Sequence, residues 1–595
     1  MGASSARPDS GGLGGPPSFE PLPLQSRGLR PILVTSALPY ANGSPHFGHM
    51  VGAYLPADIF VRYHRLIGSD VLYICGTDDH GVANTIAAEQ EGVPYKEFVD
   101  RGWAVWKRVC DSLGISFDNF SQTSRKDPQY PLAQEFFLRL LKNGRVTRRD
   151  VKQLYSAKTG RFLADRYVVG ECYRCGFKEA RGDECPKCGS WLEATQLRNP
   201  RSRTDPSDLL ELRDSWQYEL DLAAFPKDAR VKPWLDAFRA RLKPNVAAFV
   251  FDKMIEGEGL EARPITRDLP WGVPLPAKDL DGRPLEGVDG KVLYVWFDAP
   301  IGYVSSTIEW ARAHGKDWRR YWIRRRGEEG ARLVHFIGKD NITFHCIVFP
   351  AMLAWQALDG KGFLGPGTGE EYVLPDNVPA NEFFNLEGRK FSKSEGWTID
   401  IEEFVGKHGA DRTRFYLTAA MPETADSDFL HREFKGKTDL LANQFGNFAT
   451  RVLKFVGQYF DGKVPPSSKD WEGVRGQVER RTRDVADHIE NFRFRRALDS
   501  FMGLAEDGNR FLDETAPWKL RKTDLGACGS ALHGALQYLP PLSVLASPFV
   551  PGLAAKLRTM LNLGERSPGP LLPAETLLTG HPLGPPDVLI EKVNG

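Results

Sequence analysis

The chain has 595 residues, 41% hydrophobic and 26% charged, which suits a soluble globular protein of about three or four domains. Lys and Arg number 78 against 77 Asp and Glu, so global charge argues neither for nor against a nucleic-acid partner, for which a local basic face suffices. No apolar run approaches the roughly 18 residues of a membrane span, and no apolar secretion segment opens the chain.

Residues 1–30 are rich in Gly, Pro and Ser and predict a disordered leader, with little apolar surface to offset chain ordering. Asp9 and Glu20 argue against an organelle transit peptide, so a cytoplasmic location is expected. In 31–120, Pro31–Thr35 reads as a buried strand, His46–Leu66 as a helix and Val71–Ile74 as a second strand. This order predicts a parallel α/β unit with its site at the strand carboxyl ends. His46-Phe47-Gly48-His49 falls where loop becomes helix. A helix N-terminus suits phosphate, two imidazoles add donors, and Gly48 allows a nucleotide base close to the backbone. Taken alone, the tetrapeptide suits capping or packing as well.

Residues 121–290 break the rhythm and read as an insertion. Cys172 and Cys175, then Cys185 and Cys188, form two Cys-x-x-Cys knuckles, each followed by Gly (Gly176, Gly189). Doubled knuckles fold onto one tetrahedral zinc ion, and four thiolates leave no open position, so the site is read as structural. The other four cysteines, Cys75, Cys110, Cys346 and Cys528, read as buried small hydrophobes in a reducing cytoplasm.

In 291–365 the rhythm resumes, with Lys291–Phe297 and Leu333–Ile337 read as strands. One sheet is thus split by the insertion. Residues 366–435 link it to the last region and hold Lys390-Phe391-Ser392-Lys393-Ser394, where two lysines three apart can reach a polyphosphate and Ser392 can add a hydrogen bond. A solvated basic loop is the plainer reading of that string. From 436 to 595 the pattern is helical: Leu441, Phe445, Phe448, Val452, Phe455 and Tyr459 mark one apolar face of a bundle. Asn447 and Arg451 lie beside that face, and Trp518 follows the helix-breaking Ala516-Pro517.

Together, His-x-Gly-His and Lys-x-Ser-Lys-Ser resemble the two signatures of class I aminoacyl-tRNA synthetases. The flanking stretches Ala37–Gly43, Cys75–Gly81, Tyr294–Tyr303 and Gly338–His345 resemble the methionine-specific family of that class. The resemblance implies an α/β fold, a Rossmann-type parallel sheet split by a zinc-bearing insertion and followed by an α-helical bundle. It implies activation of L-methionine with ATP and Mg²⁺, then transfer to methionine tRNA. His46, Gly48, His49, Lys390, Ser392 and Lys393 would serve ATP, the His and Lys pairs catalytically. Asp78 would anchor the methionine ammonium; Leu38, Tyr40, Trp296, Ala299, Pro300, Tyr303 and His345 would form the slot, whose aromatic rings suit a thioether. Arg267 would help orient the substrate. Many family members carry Trp before that segment, where this chain has Arg263-Pro264. Asn447, Arg451 and Trp518 would read the anticodon by hydrogen bonding and stacking.

Some family members carry two zinc ions; four cysteines in this insertion imply one. No appended C-terminal tRNA-binding or dimerising domain follows the bundle, so a monomer is expected. The rival readings are another class I synthetase, a nucleotidyltransferase without tRNA, and a zinc- and RNA-binding protein without catalysis.

Overall fold

The computed structural model describes residues 30–592, apart from 164, 184, 189, 191, 357–365, 393, 394 and 470. The leader expected at 1–30, except Arg30, and Lys393 of the basic loop lie outside the described residues.

The central sheet is built from β1 (Ile32–Ser36), which leads through α1 (Leu55–Leu66) to β2 (Val71–Thr77), and from β3 (Asn119–Gln122). The insertion then projects on a long antiparallel pair, β4 (Val146–Ser156) and β5 (Leu210–Leu220). The chain returns through the helix α2 (Val295–His314) to β6 (Arg332–Gly338) and β7 (Ala380–Asn381). All pairings in the sheet are parallel, in the order β7-β6-β1-β2-β3. Early and late strands meet where β1 lies beside β6, which is the switch point that opens a crevice at strand carboxyl ends.

Both faces of β1 are buried, as expected of a parallel strand covered on two sides. Ile32 and Val34 face a core continuous with the C-terminal helices, while Leu33 faces the core shared with the insertion. The bundle comprises α3 (Asn447–Tyr459), α4 (Glu472–Glu490), α5 (Phe494–Thr515), α6 (Leu525–Leu536), α7 (Leu539–Ala546) and α8 (Pro551–Met560). Of the expected apolar face, Leu441, Phe445, Phe448 and Val452 are buried, but Phe455 and Tyr459 only half so. Leu453 and Val456 take their place in the core.

Arg414, wholly buried, ties sheet and bundle together. It pairs with Asp58 on α1 at 2.7 Å and donates to the carbonyls of Leu113, Pro548 and Phe549.

One strand expectation fails. Within Lys291–Phe297 only Val292–Leu293 is extended, and it pairs antiparallel with Thr266–Arg267 outside the main sheet. Val295 onward is helix α2, so the expected slot residues from Trp296 to Tyr303 share a helix. That helix is buried nearly all round, which erases the polar face by which a helical period is read. Strand β3 carries no strand signal in the sequence, because Asn119-Phe120-Ser121-Gln122 is short and largely polar.

Candidate active site

The crevice at the switch point is a cavity of about 490 Å³. Its walls include His46, Gly48 and His49 on one side, and Leu38, Tyr40, Asp78, Trp296, Ala299, Pro300, Tyr303 and His345 on the other. The fold thus gathers residues from four separate stretches of sequence.

His46 is the extended residue that starts the helical run, followed by a π-helical turn at Met50–Tyr54 and then α1. The His46 backbone N–H donates to His49 Nδ1 at 3.1 Å. His49 Nδ1 is therefore an acceptor, and its ring carries hydrogen at Nε2. The two rings stack with centroids 3.7 Å apart. A side chain at Gly48 would lie 2.9 Å from the His46 ring and 3.2 Å from the Phe384 carbonyl, so the close approach there is to the chain's own backbone. Gly52, which sequence reading passed over, is the glycine beside open space: it lines the cavity, and an added Cβ would meet nothing within 4 Å.

The basic loop closes against this motif. Phe391 stacks on His46 at 4.7 Å. Ser392 and Trp397 exchange backbone hydrogen bonds of 2.9 and 2.8 Å, which folds the loop back on itself. Lys390 Nζ sits over the Phe383 ring at 4.8 Å, and Lys339 Nζ over the same ring at 4.0 Å. Phe383 lines the cavity; Lys390 and Ser392 do not.

Asp78 continues β2 beyond its end, its backbone N–H donating to the Pro39 carbonyl at 2.8 Å. The side chain is 5% exposed, and no protein group hydrogen-bonds Oδ1. Burial first, then the charges of Asp298 and Asp79, hold this carboxyl well above the usual range. Such a group gains most from a cation. Beside it, Trp296 Nε1 donates to Tyr40 OH at 3.4 Å, and Trp296 meets Phe344 edge to face at 4.4 Å. Gly81 is required here, since a Cβ would fall 2.3 Å from the Tyr40 ring. His345 Nδ1 donates to the Asn341 carbonyl at 3.0 Å, so Nε2 accepts from Tyr303 OH at 2.8 Å. Burial pushes the His345 imidazole down to about 4, and it is neutral.

Arg267 lies elsewhere. Its guanidinium covers the Tyr294 ring at 3.9 Å and, with Arg263 and Pro264, borders a smaller cavity of about 110 Å³ behind Trp296. The cation that enters the main crevice is Arg166, 5.4 Å from the Tyr40 ring and donating to Asp183 at 3.0 Å. Asp183 lies between the two cysteine knuckles, so the insertion delivers this charge. No motif in the sequence singled it out. Asp340, also at the crevice, sits within the quoted Gly338–His345 stretch and was readable as a polar residue at a strand end.

The four cysteine sulfurs lie within 4.8 Å of one another, with Cys172–Cys188 at 3.9 Å and Cys175–Cys185 at 3.6 Å. Zinc–sulfur bonds of about 2.3 Å in a tetrahedron place sulfurs about 3.8 Å apart, so the cluster fits such an ion. Gly176 turns the first knuckle in the left-handed region, at φ 71°.

In the bundle, α5 ends at Ala516, whose φ of 39° is left-handed, and Pro517 opens the short helix Pro517–Leu520. Arg451 on α3 then lies 5.5 Å over the Trp518 ring and donates to Asp513 at 3.3 Å. Asn447 is exposed one helical turn before Arg451. The three expected readers therefore share one surface.

Comparison with known proteins agrees with this architecture. The family model for class I tRNA synthetases (M) matches residues 32–453, and that for the anticodon binding domain of methionyl tRNA ligase matches 467–595. The methionine–tRNA ligase of Flavobacterium psychrophilum is 41% identical over 94% of this chain and 78% of its own length. That of Pyrococcus abyssi is 43% identical over 94% and 75%. In structure, Mycobacterium tuberculosis methionyl-tRNA synthetase in complex with methionyl-adenylate superposes with a TM-score of 0.75, covering 94% of this chain and 99% of that one at 24% identity, a likeness of fold. With both matches falling in order along one continuous split-sheet and bundle architecture, this chain belongs to the methionyl-tRNA synthetase family of class I aminoacyl-tRNA synthetases.

Proposed function

We propose that the chain is a methionine–tRNA ligase. The methionine carboxylate attacks the α-phosphate of ATP, which enters as its magnesium complex, and pyrophosphate leaves. The tRNA 3′ hydroxyl then attacks the carbonyl of methionyl-adenylate, and AMP leaves. The observation that carries this reading is a single crevice with the His46/His49 pair on one wall and, on the other, the buried Asp78 carboxyl, whose Oδ1 has no hydrogen-bond partner, beside an aromatic slot.

Asp78 holds the ammonium, offering Oδ1, the oxygen that no protein group hydrogen-bonds. Tyr40, Trp296, Tyr303 and His345 enclose the side chain, with Leu38, Ala299 and Pro300 supplying apolar walls. His49 Nε2–H, with His46 beside it, donates to phosphate oxygens as charge builds at the in-line displacement. Lys390 and Lys393 neutralise the departing pyrophosphate, and Ser392 adds a hydrogen bond. For Lys390 this requires movement off Phe383 towards the crevice. Arg166 adds a positive charge near Tyr40. Asn447, Arg451 and Trp518 receive the anticodon.

The cysteine cluster holds one zinc ion, which supplies structure and no reactive position. Among the described residues no helix is long and apolar enough to cross a membrane. No disulfide joins any of the eight cysteines, which suits a reducing cytoplasm.

The test is ATP–pyrophosphate exchange across a panel of amino acids. Exchange driven by methionine supports the assignment. Exchange driven by a different amino acid would place the chain with another specificity, and exchange with none would remove the catalytic reading.

A further inference from the structure

Two large aromatic residues stand at the surface of the bundle with no part in the roles above. Phe455 and Tyr459 continue the line of α3 on which Asn447 and Arg451 lie, each one helical turn further on. Leu453 and Val456 fill the core in their place, so both rings are only half-buried. They pack on each other with centroids 4.8 Å apart. Aromatic rings interleaved with guanidinium planes are what unpaired bases stack on.

The chain that follows Ala516 meets this line at two points. Trp518 lies under Arg451, at 5.5 Å. Three residues later, Arg521 donates from Nη1 to the Tyr459 hydroxyl, with its guanidinium 4.8 Å from the ring centroid. From Arg451 to Tyr459 the helix rises about 12 Å, at about 1.5 Å per residue. Stacked bases advance about 3.4 Å each, so the two contacts stand roughly three bases apart.

The charge suits the same partner. From Pro517 to Thr523 the chain carries Lys519, Arg521 and Lys522 and no carboxylate, and all three cations are exposed. The first acid beyond them, Asp524, is turned away to cap α6, accepting from the Ala527 backbone N–H at 2.9 Å. A guanidinium has five N–H donors, and one bond to Tyr459 leaves Arg521 others with which to meet a phosphate.

We infer that Tyr459, with Arg521 fixed on it, is a second seat for the anticodon loop: the ring stacks one unpaired base, and the guanidinium takes a phosphate beside it. Trp518 and Tyr459 then hold two different nucleotides of one loop. This rests on the reading of Asn447, Arg451 and Trp518 as the anticodon surface.

The experiment measures binding of methionine tRNA to the purified full chain, with each loop base replaced in turn by an abasic site. Pyrophosphate exchange gives the concentration of active enzyme in each preparation. Tyr459→Ala should weaken binding of the intact tRNA at least about fivefold, the low end of what one stacked base contributes, and Tyr459→Phe should restore most of it. One abasic position should weaken binding to the native chain but not to Tyr459→Ala, and a different position should behave so with Trp518→Ala. Arg521→Gln should lower the slope of log affinity against log salt by about 0.7, the share of one phosphate on a single strand. If no position couples to Tyr459, or if Tyr459→Ala weakens every tRNA of the panel equally, the second seat is overturned. Coupling to Trp518 alone leaves the anticodon reading standing without it, whereas coupling to neither residue removes that reading as well. Should Tyr459→Ala fail to fold, Arg521→Gln carries the test, and an unchanged salt slope overturns the inference.

Discussion

The ring of Phe391 lies parallel to that of His46, 5° apart in plane and 4.7 Å between centroids. It joins the basic loop to the histidine motif across most of the catalytic region. An aromatic pair of this kind contributes about 0.5–1.5 kcal/mol beyond its area. Phe391→Ala should therefore loosen the loop and lower kcat for exchange roughly two- to twelvefold, while Phe391→Tyr keeps the stack. An unaltered kcat in the alanine variant would mean that the stack has no part in holding the loop for the reaction.

Asp78→Asn tests the anchor. Losing one partner of a buried charge pair costs about 2–5 kcal/mol, so methionine KM should rise roughly 30-fold or more. The sign for stability is opposite. Burial raises the folded carboxyl above its unfolded value. Its contribution is present at low pH and lost as pH rises through the folded value, so the ionised group is a cost at neutral pH. Calorimetry should find the Asn variant at least as stable as the native chain. Methionine binding, which needs the ionised form, should weaken on acidification at a higher pH than an exposed carboxylate would give.

Arg414 compensates Asp58 in a wholly buried pair. Burial pushes the Asp58 carboxyl up, but Arg414 and then Arg62 outweigh it and hold the pKa below the usual value. The stability this brings is present above the unfolded pKa and lost as pH falls through the folded one. Arg414→Met should cost about 3–5 kcal/mol, since it strands a buried charge. Denaturant unfolding of the two proteins measures this, and a loss under about 1 kcal/mol would show that Arg62 alone suffices.

Elemental analysis should find close to one zinc per chain. Cys172→Ser or Cys185→Ser should abolish that stoichiometry. Because Asp183 between the knuckles holds Arg166 at the crevice, either variant should also raise methionine KM. Two ions per native chain, or none, would refute the cluster assignment.

Stacking of one base is worth about 1–3 kcal/mol. Trp518→Ala should accordingly raise KM for methionine tRNA roughly 5- to 150-fold, while tRNA-independent exchange stays within about twofold. Aminoacylation of an anticodon-swapped tRNA provides the complementary reading: equal charging of both tRNAs would exclude this surface from recognition.

Local chemistry made much of this protein legible in one dimension. The strands Ile32–Ser36 and Arg332–Gly338 declare themselves by short, mostly apolar and β-branched or aromatic runs, and the paired Cys-x-x-Cys knuckles by spacing, because strand propensity and a tetrahedral ion act over a few residues. The helix α2 gives no helical signal in the sequence, since burial on all sides removes the period that marks a helix. Which residues meet was beyond the sequence altogether. The approach of Phe391 to His46, of Arg166 to Tyr40, and of Thr35 to His335 depends on strand order and on how the insertion folds back. The burial of Asp78, with Oδ1 left unbonded, is likewise a product of tertiary packing, because a carboxylate becomes costly, and so useful to a cation, only when the fold has taken its water away.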